Sequence, residues 1–240
     1  MHRLSLLIGL FFTAAMQLNA QVKWTLHAET GLNKQDVSAV TNLVQQNELN
    51  PKAYWKFAAS GGLELSYTML KFATVFTGLG YVKTNGRYVT SQNALNPDGS
   101  LQGTYTSDKL TTADMISLPV GLQINILKLH LGGGIECRYR VAGSLTTHYS
   151  SIAAYASNSV DLGTVVGPNT NAKLDYGYFA YASFNFTKRF GCKISYYEGQ
   201  RDLSNGYEFG AWKEWMKNVG NSIFSLNNKQ MTIGLYLKIN

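Results

Sequence analysis

His148 and Ser150 are the side chains in this 240-residue chain whose types and spacing best fit an enzyme. They stand in His148-Tyr149-Ser150, and a histidine that reaches a serine hydroxyl can take its proton and make it a nucleophile. Such a pair also needs a carboxylate that orients the imidazole, for which Asp161 and Asp175 are the candidates. The pair is therefore the candidate for nucleophilic catalysis, with His148 as the base and Ser150 as the nucleophile.

A second set of candidate functional residues consists of charged side chains that alternate with apolar residues. In the stretch KLHLGGGIECRYRV, residues 128–141, a strand would carry one charged face and one apolar face. The charged residues that alternation turns inward are Glu29, Glu64, Glu136, Arg138, Arg140 and Lys193. Because unpaired buried charges are costly, we expect these six to pair across strands and fill the interior of a barrel. The functional alternative is a path for protons or ions, which would make the protein a small pore.

Several other functions lack their motifs. The sequence has no CxxC or HExxH and no His/Cys cluster with metal-ligand spacing, so it predicts no metal and no cofactor. The glycines at 132–134 lack the neighbours that a phosphate-binding loop needs, and we expect them to relieve crowding inside a strand. The net charge of +7 comes from residues scattered along the chain, which predicts no nucleic-acid partner.

The elements that would position these side chains are eight stretches with the period of a β-strand. They are Val22–Leu32, Tyr54–Tyr67, Phe72–Val89, Ala113–Ile124, Lys128–Thr147, Asp175–Phe186, Phe190–Arg201 and Lys229–Asn240. Each is near or above the about 9–11 residues that a tilted strand needs to cross a bilayer.

The connections between these stretches alternate in length. Three are short, and the four long ones cover residues 33–53, 90–112, 148–174 and 202–228. This layout predicts an all-β protein, an eight-stranded antiparallel up-and-down transmembrane β-barrel with short periplasmic turns and four long extracellular loops. Both termini would then be periplasmic.

The first 20 residues have the character of a secretory signal peptide. Arg3 precedes an apolar stretch from Leu4 to Met16, and small residues lead to a cleavage point near Ala20. We therefore expect residues 1–20 to be a signal peptide and residues 21–240 to form the barrel.

A soluble periplasmic barrel would show the same alternation but would turn its apolar face inward, around a ligand. The aromatic residues of the apolar face lie near strand ends, as Trp55 and Tyr67 do, which is typical of the two aromatic girdles of a membrane barrel. The polar face mixes glycine and serine with charges of both signs. This composition favours a narrow, crowded lumen and hence a membrane barrel.

Two local features follow from the strand assignment. Cys137 and Cys192 fall on the fifth and seventh strands, about 9.5 Å apart, which is too far for a disulfide, so we predict free thiols that face lipid. Pro119 falls inside the fourth strand, where it has no N–H to donate, so we predict a bulge or a missing hydrogen bond.

The stretch around Pro119 resembles a known family. Residues 116–122, ISLPVGL, followed by LGGG at 131–134, are similar to the "IPLLLK…GGPY" centre of PorT-like outer-membrane β-barrel proteins. Residues 31–33 and 231–238 resemble the first and last strands of that family. The resemblance implies an eight-stranded barrel in the outer membrane and, for most members, no defined activity. The chain departs from many outer-membrane barrels at its end, which is Lys238-Ile239-Asn240 rather than an aromatic residue.

His148-Tyr149-Ser150 resembles the His-x-Ser of outer-membrane lipid A deacylases. The chain departs from that pattern, since no asparagine follows Ser150. Strand parity also turns His148 and Ser150 toward the barrel interior, away from a lipid substrate.

Two of the long loops have helical spacing. Asp36–Gln46 begins with a residue suited to cap a helix, and Gly210–Gly220 places Trp212, Trp215 and Met216 on one face. These three side chains could form a surface for a partner, or the helices could cover the barrel mouth. Asn96-Pro97-Asp98-Gly99 predicts a turn, so the third and fourth strands should continue outward as a hairpin.

The leading hypothesis is a non-enzymatic β-barrel protein in the outer membrane of a Gram-negative bacterium, with a structural or binding role. Its partners would be outer-membrane lipid and a protein or glycan bound by the extracellular loops. Three alternatives remain: a lipid-modifying hydrolase like the lipid A deacylases, a small pore, and a soluble periplasmic barrel that binds a ligand.

Overall fold

The computed structural model describes residues 22–39, 51–70, 72–95, 100–154, 156, 158–169, 171, 173–201, 203 and 224–239. The strands are β1 (Val22–Ala39), β2 (Lys52–Tyr54), β3 (Lys56–Leu70), β4 (Ala73–Leu95), β5 (Leu101–Ile126), β6 (Leu129–Ala142), β7 (Ser144–Ala153), β8 (Val160–Pro168), β9 (Leu174–Asn185), β10 (Phe190–Gly199) and β11 (Phe224–Lys238). Among these residues no helix is long and apolar enough to cross a membrane. The predicted signal peptide lies outside the described residues.

Eight of the strands close into a ring. Their order is β4-β3-β1-β11-β10-β9-β6-β5, and β5 pairs with β4 to complete the circle. Every neighbouring pair in the ring is antiparallel. Neighbours are consecutive among the ring strands along the chain, except that β1 and β11, the first and the last, pair with each other. The predicted eight-stranded antiparallel up-and-down barrel is confirmed.

The outer wall of the ring is apolar. On β5, Ile116, Leu118 and Leu122 point outward and are exposed, Leu122 at 65%, while Ser117 between Ile116 and Leu118 is buried in the lumen. The other ring strands repeat this arrangement. The apolar face therefore points outward, and the alternative of a soluble barrel with an apolar interior is wrong. A closed ring also leaves none of its own edges unpaired, which an apolar environment requires.

The two ends of the barrel differ. We define the turn end by Val22, Ile239 and the short connections at 127–128 and 186–189; β3 also ends there, at Leu70, three positions before β4 begins at Ala73. At the opposite end, the hairpin end, β4 and β5 reach lengths of 23 and 26 residues. The stretch 90–112 is therefore mostly strand rather than the loop predicted for it, whereas the predicted hairpin is confirmed; its turn at 96–99 lies outside the described residues.

Five strand segments form a sheet beyond the ring, which we call the hairpin sheet. It comprises β2, the ends of β4 and β5 from Arg87 to Leu95 and from Leu101 to Thr111, β7 and β8. On one side of β5, residues Asp114–Ile126 pair with β6 and residues Gly103–Thr111 pair with β7. The predicted loop 148–174 is thus largely the β7–β8 hairpin. The helix predicted from Asp36 is wrong for residues 36–39, which belong to β1, because pairing with β11 overrides their local helical spacing; the remainder lies outside the described residues.

One extra residue changes the face that the chain presents between β6 and β7. Met115 pairs with Arg140 and Asp114 pairs with Ala142, so Val141 has no partner and forms a bulge. Because strand faces alternate with a period of two, one inserted residue turns every later side chain to the opposite face.

The prediction for Pro119 is confirmed on its β4 side. The β4–β5 ladder stops at Thr77–Val120 and resumes at Gly80–Ser117, so no pair forms opposite Leu118 and Pro119. The hydroxyl of Thr77 donates instead to the carbonyl of Pro119, at 3.1 Å.

The cysteines also lie as predicted. Cys137 on β6 and Cys192 on β10 are free thiols, with the whole of β9 between their strands. Cys137 pairs with Leu118, whose side chain belongs to the exposed outer wall, and Cys192 pairs with Leu235, which is on the same wall. Both thiols therefore lie on the apolar outer face.

Candidate functional site in the lumen and at the hairpin end

Glu29 and Lys193 form an ion pair in the lumen. The Lys193 ammonium lies 3.2 Å from a Glu29 carboxylate oxygen, and the hydroxyls of Ser195 and Thr232 donate to the same carboxylate. Glu29 is on β1 and Lys193 on β10, so the pair spans the intervening strand β11, as predicted. Gly234 is the β11 residue that pairs with both of them.

Arg138 and Glu136 form a second ion pair, nearer the hairpin end. Two guanidinium nitrogens of Arg138 donate to the two oxygens of Glu136, at 2.9 and 3.2 Å, and a third donates to Gln230 at 2.6 Å. The guanidinium also lies over the Tyr197 ring, 3.5 Å from its centre. Arg138 is only 4% exposed. The pair runs along one strand, so the expectation of pairing across strands is wrong here, because residues two apart on β6 share the inner face and lie close enough to bond.

Glu64 and Arg140 do not join these pairs. Glu64 faces the lumen beside Lys193 and His27, without an ion pair among the described residues. Arg140 donates to the side chain of Asn169 and the backbone carbonyl of Asn171, at 2.5 and 2.6 Å. The single predicted network of six charges therefore divides into two ion pairs and two separately placed groups.

Aromatic rings occupy the middle of the lumen. Phe76, Phe179 and Tyr181 meet with ring centres 5.6–6.4 Å apart, two contacts edge-on and one stacked. The Lys193 ammonium lies over the Tyr181 ring, 4.5 Å from its centre, in a cation–π contact. Rings packed between the ion pairs favour a structural filling of the lumen over a path for ions, since an eight-stranded interior is just wide enough for side chains.

A cluster of outward-facing charges follows the apolar wall at the hairpin end, and we call it the rim cluster. Lys34 and Lys229 lie 2.6 and 2.9 Å from the carboxylate of Asp36, and Lys229 also lies 3.4 Å from Glu198. Partial burial by itself raises the pKa of Asp36, but hydrogen bonds from Lys34 and Lys229 outweigh it and hold that pKa below its usual range. Hydrogen bonding to Asp36 raises the pKa of Lys229.

His148 and Ser150 lie on the outer face of β7, not on the inner face predicted for them. The Val141 bulge reverses the parity: Thr147 is buried with its partner Lys109, while His148 is exposed. His148 Nδ1 is 3.0 Å from the Thr164 hydroxyl and 3.8 Å from Asp161. The imidazole therefore bonds across to β8 rather than along β7 to Ser150.

The outer face of the hairpin sheet carries a row of polar and aromatic side chains. Two guanidinium nitrogens of Arg87 on β4 donate to the carboxylate of Asp108 on β5, with the shortest distance at 2.6 Å, and the guanidinium lies over the ring of Tyr54 on β2. Hydrogen bonding to Asp108 raises the pKa of Arg87. Asp108 pairs with His148, and His148 pairs with Thr164 on β8, so the row crosses the sheet from edge to edge.

Some predicted residues cannot be placed. Trp212, Trp215 and Met216 lie outside the described residues. Within the described part of the chain, no group of three or more His, Cys, Asp or Glu side chains could hold a metal ion.

Sequence reasoning missed two groups. One is the Arg87–Asp108 row, in which Arg87 falls at the end of the third predicted strand and Asp108 in the stretch 90–112 that was predicted as a loop. The other is the lumen position of Asp175, which was considered only as a carboxylate for His148; it is 2% exposed and accepts a hydrogen bond from Asn228 at 2.9 Å. The alternation of Asp175 with Tyr176 and Tyr178 was the available signal, since it puts the carboxylate on the inner face.

Comparisons with known proteins bear on the fold. The family model described as an outer membrane protein beta-barrel domain matches residues 17–205. Similar solved structures include the attachment invasion locus protein Ail of Yersinia pestis in complex with the heparin analogue sucrose octasulfate (11% identity, 90% of this chain and 99% of that chain, TM-score 0.35). They also include the outer membrane protease OmpT from Escherichia coli (8% identity, 90% and 97%, TM-score 0.41) and the outer membrane protein OprG from Pseudomonas aeruginosa (9% identity, 90% and 96%, TM-score 0.33). No curated protein matches the sequence.

Proposed function

Since the chain belongs to the family of outer-membrane β-barrel domains, we propose that it is a non-enzymatic surface protein that binds a protein partner. In this proposal outer-membrane lipid surrounds the barrel, and the hairpin sheet makes the contact. The observation that carries the proposal is the length of β4 and β5, 23 and 26 residues, about twice what a strand needs to cross a bilayer. Strands of this length hold the hairpin sheet outside the membrane.

The composition of the hairpin sheet supports a protein partner. Its last strand, β8, is exposed along almost its whole length and carries Val160, Leu162, Val165 and Val166, of which Val166 is 71% exposed. Exposed apolar side chains grouped on one strand mark an interaction surface more often than isolated ones do. The Tyr54–Arg87–Asp108 row adds aromatic and arginine side chains, the types enriched at protein interfaces.

The partner would pack against the faces of the sheet rather than extend its edge. Asp161 pairs with Ser150 and Gly163 with Tyr149, so Leu162 is an extra residue that interrupts the ladder on β8. Gly163 has a φ of 105°, a left-handed conformation that favours glycine. Bulges of this kind disrupt the regular edge that a further strand would need.

The proposal also gives the protein an orientation. The turn end and both termini would face the periplasm of a Gram-negative cell, and the hairpin sheet would face the exterior. The support is the contrast between very short turns at one end and long hairpins at the other, which is the usual layout of outer-membrane barrels.

Membership of the narrower PorT-like group is likewise a proposal. It is supported by the short match around Pro119 and the glycines at 132–134, and the interrupted ladder at Pro119 gives that proline a structural role.

The lipid hydrolase remains the weaker candidate. His148 bonds to Thr164, and the face of β7 that carries it lies beyond the apolar wall of the barrel. If His148→Ala leaves the acylation pattern of lipid A in the host outer membrane unchanged, the hydrolase hypothesis fails; a change in acylation would instead contradict a non-enzymatic role.

Orientation can be tested by labelling on intact cells. In a Cys137→Ser/Cys192→Ser background, Thr104→Cys places a thiol on the hairpin sheet and Thr187→Cys places one at the turn end. We expect a membrane-impermeant maleimide to label Thr104→Cys on intact cells and Thr187→Cys only after permeabilisation. The reverse pattern would contradict the orientation.

Partner binding can be tested with a photoreactive amino acid at Val166. We expect one discrete protein adduct on intact cells, and its loss when Arg87→Ala is added to the same chain. A photoreactive residue at Leu122, on the apolar wall, is the control and should give lipid adducts. No protein adduct at Val166, or one that persists unchanged with Arg87→Ala, would contradict the proposal.

A further inference from the structure

The lumen opens into a cavity at the turn end. Its volume is about 320 Å³, and all eight ring strands contribute inward-facing side chains to it. That volume is at the lower end of the range for pockets that hold small molecules. Outside lipid does not reach it, because the apolar wall separates the lumen from the bilayer.

The charged side chains that line the cavity are mainly lysines. The lining includes Lys23, Lys193 and Lys238 together with two imidazoles, from His27 and His130, against the single carboxylate of Glu64. Lys193 is already bonded to Glu29. Lys23 and Lys238, in contrast, have no ion pair with a carboxylate among the described residues.

Lys23 and Lys238 lie close together at the mouth. Lys238 on β11 pairs with Thr25 on β1, and Lys23 is the next residue of β1 on the same inner face. Diagonal neighbours of this kind have Cα atoms roughly 7–8 Å apart. The two side chains carry like charges at neighbouring positions, and an anion held between their ammonium groups would relieve the repulsion.

Polar side chains keep the Lys238 ammonium against the wall of the cavity. Asn185 Oδ1 accepts from Lys238 at 2.9 Å and from the Tyr236 hydroxyl at 2.6 Å. Asn185 in turn bonds to His130, whose Nδ1 lies 2.7 Å from Asn125 Oδ1. An ammonium has three N–H donors, so Lys238 keeps two of them for a ligand after bonding to Asn185.

We propose that this turn-end cavity binds a soluble small molecule through a phosphate or carboxylate group, held between the ammonium groups of Lys23 and Lys238. The hydroxyls of Thr68 and Ser183 line the same space and can turn toward the oxygens of the bound group.

The test uses the full chain, refolded in a non-ionic detergent and free of phosphate. Isothermal titration calorimetry with inorganic phosphate, and separately with citrate, should show one saturable site for at least one of the two. The variant Lys23→Gln/Lys238→Gln should bind at least tenfold more weakly. The matched control is Lys128→Gln/Lys188→Gln, which removes two exposed lysines at the same end outside the cavity and should bind within twofold of the parent.

Two further experiments control for misfolding of the double variant and for binding of lipid headgroups. Lys23→Gln alone leaves the Asn185 network intact, so it should fold even if the double variant does not, and it should still weaken binding severalfold. In nanodiscs, replacing phosphatidylcholine with phosphatidylglycerol should not change the affinity. The proposal is overturned if the parent binds neither anion, if the control loses as much affinity as the cavity variants, or if phosphatidylglycerol displaces the soluble anion.

Discussion

The ammonium of Lys193 on β10 reaches the carboxylate of Glu29 on β1 by passing over Gly234 of β11. Gly234 is the cross-strand partner of both residues, and Nζ and Oε1 are 3.2 Å apart. A Cβ atom at Gly234 would stand 2.7 Å from Cγ of Glu29. The absence of a side chain at that position is what allows a charge pair to span an intervening strand.

Removing the charge of Glu29 should destabilise the barrel. Glu29→Gln leaves the largely buried Lys193 ammonium without its partner, and we expect the free energy of unfolding to fall by about 3 kcal/mol. Urea unfolding of the refolded protein in lipid vesicles measures this value. Glu198→Gln, the same substitution in the exposed rim cluster, is the control and should cost about 0.2–1 kcal/mol. Equal losses would mean that the lumen pair contributes no more than a surface pair.

A side chain at Gly234 should disrupt the ion pair between Glu29 and Lys193. Gly234→Ala would also place its Cβ 2.1 Å from the backbone oxygen of Ala28, so β1 or Glu29 must move, and we expect a loss of about 1–3 kcal/mol. The measurement is again urea unfolding. Gly167→Ala on β8 is the matched control, because nothing lies within 4 Å of the added atom there. If Gly234→Ala is as stable as the control, the close approach at Gly234 is not needed.

Arg138 and Glu136 should be strongly coupled. Arg138→Met alone leaves the carboxylate of Glu136 buried without its cation, which we expect to cost about 3–5 kcal/mol. The double variant Arg138→Met/Glu136→Leu replaces the pair with apolar side chains, and it should recover at least half of that loss. A double-mutant cycle measured by urea unfolding tests the coupling, and additive losses would argue against it.

The rim cluster should make stability depend on pH in the acidic range. Asp36 has a pKa below its usual value in the folded state, so its contribution is fully present above the unfolded pKa of about 3.9 and is lost as the pH falls through the lower folded value. We expect Asp36→Asn to lower the free energy of unfolding by about 0.2–1 kcal/mol at pH 7, a small amount because the cluster is exposed. The difference from the parent should shrink to zero well below pH 3.9. A difference that persists at low pH would show that charge is not its cause.

Much of the barrel can be read from local alternation. The β6 segment illustrates this, because a period of two in residues 128–141 assigns Glu136 and Arg138 to one face and Ile135 and Tyr139 to the other whatever the rest of the chain does. The short connections then force neighbouring strands to be antiparallel, and together these features predict the ring, its apolar outer wall and the inward direction of the charges. Local signals were weakest where pairing overrides them, as at Asp36, which has the character of a helix cap but lies in β1.

The sequence by itself therefore determined the fold class, the strand faces and the set of inward charges, since these depend on side-chain parity within single strands. Only the tertiary structure decided how those charges pair, because Lys193 meets Glu29 through a register between three strands that closure of the ring imposes. It also decided the face of His148, since the Val141 bulge is visible only when β6 is paired with β5. The turn-end cavity is also a product of the tertiary structure, because it exists only where side chains from all eight ring strands converge.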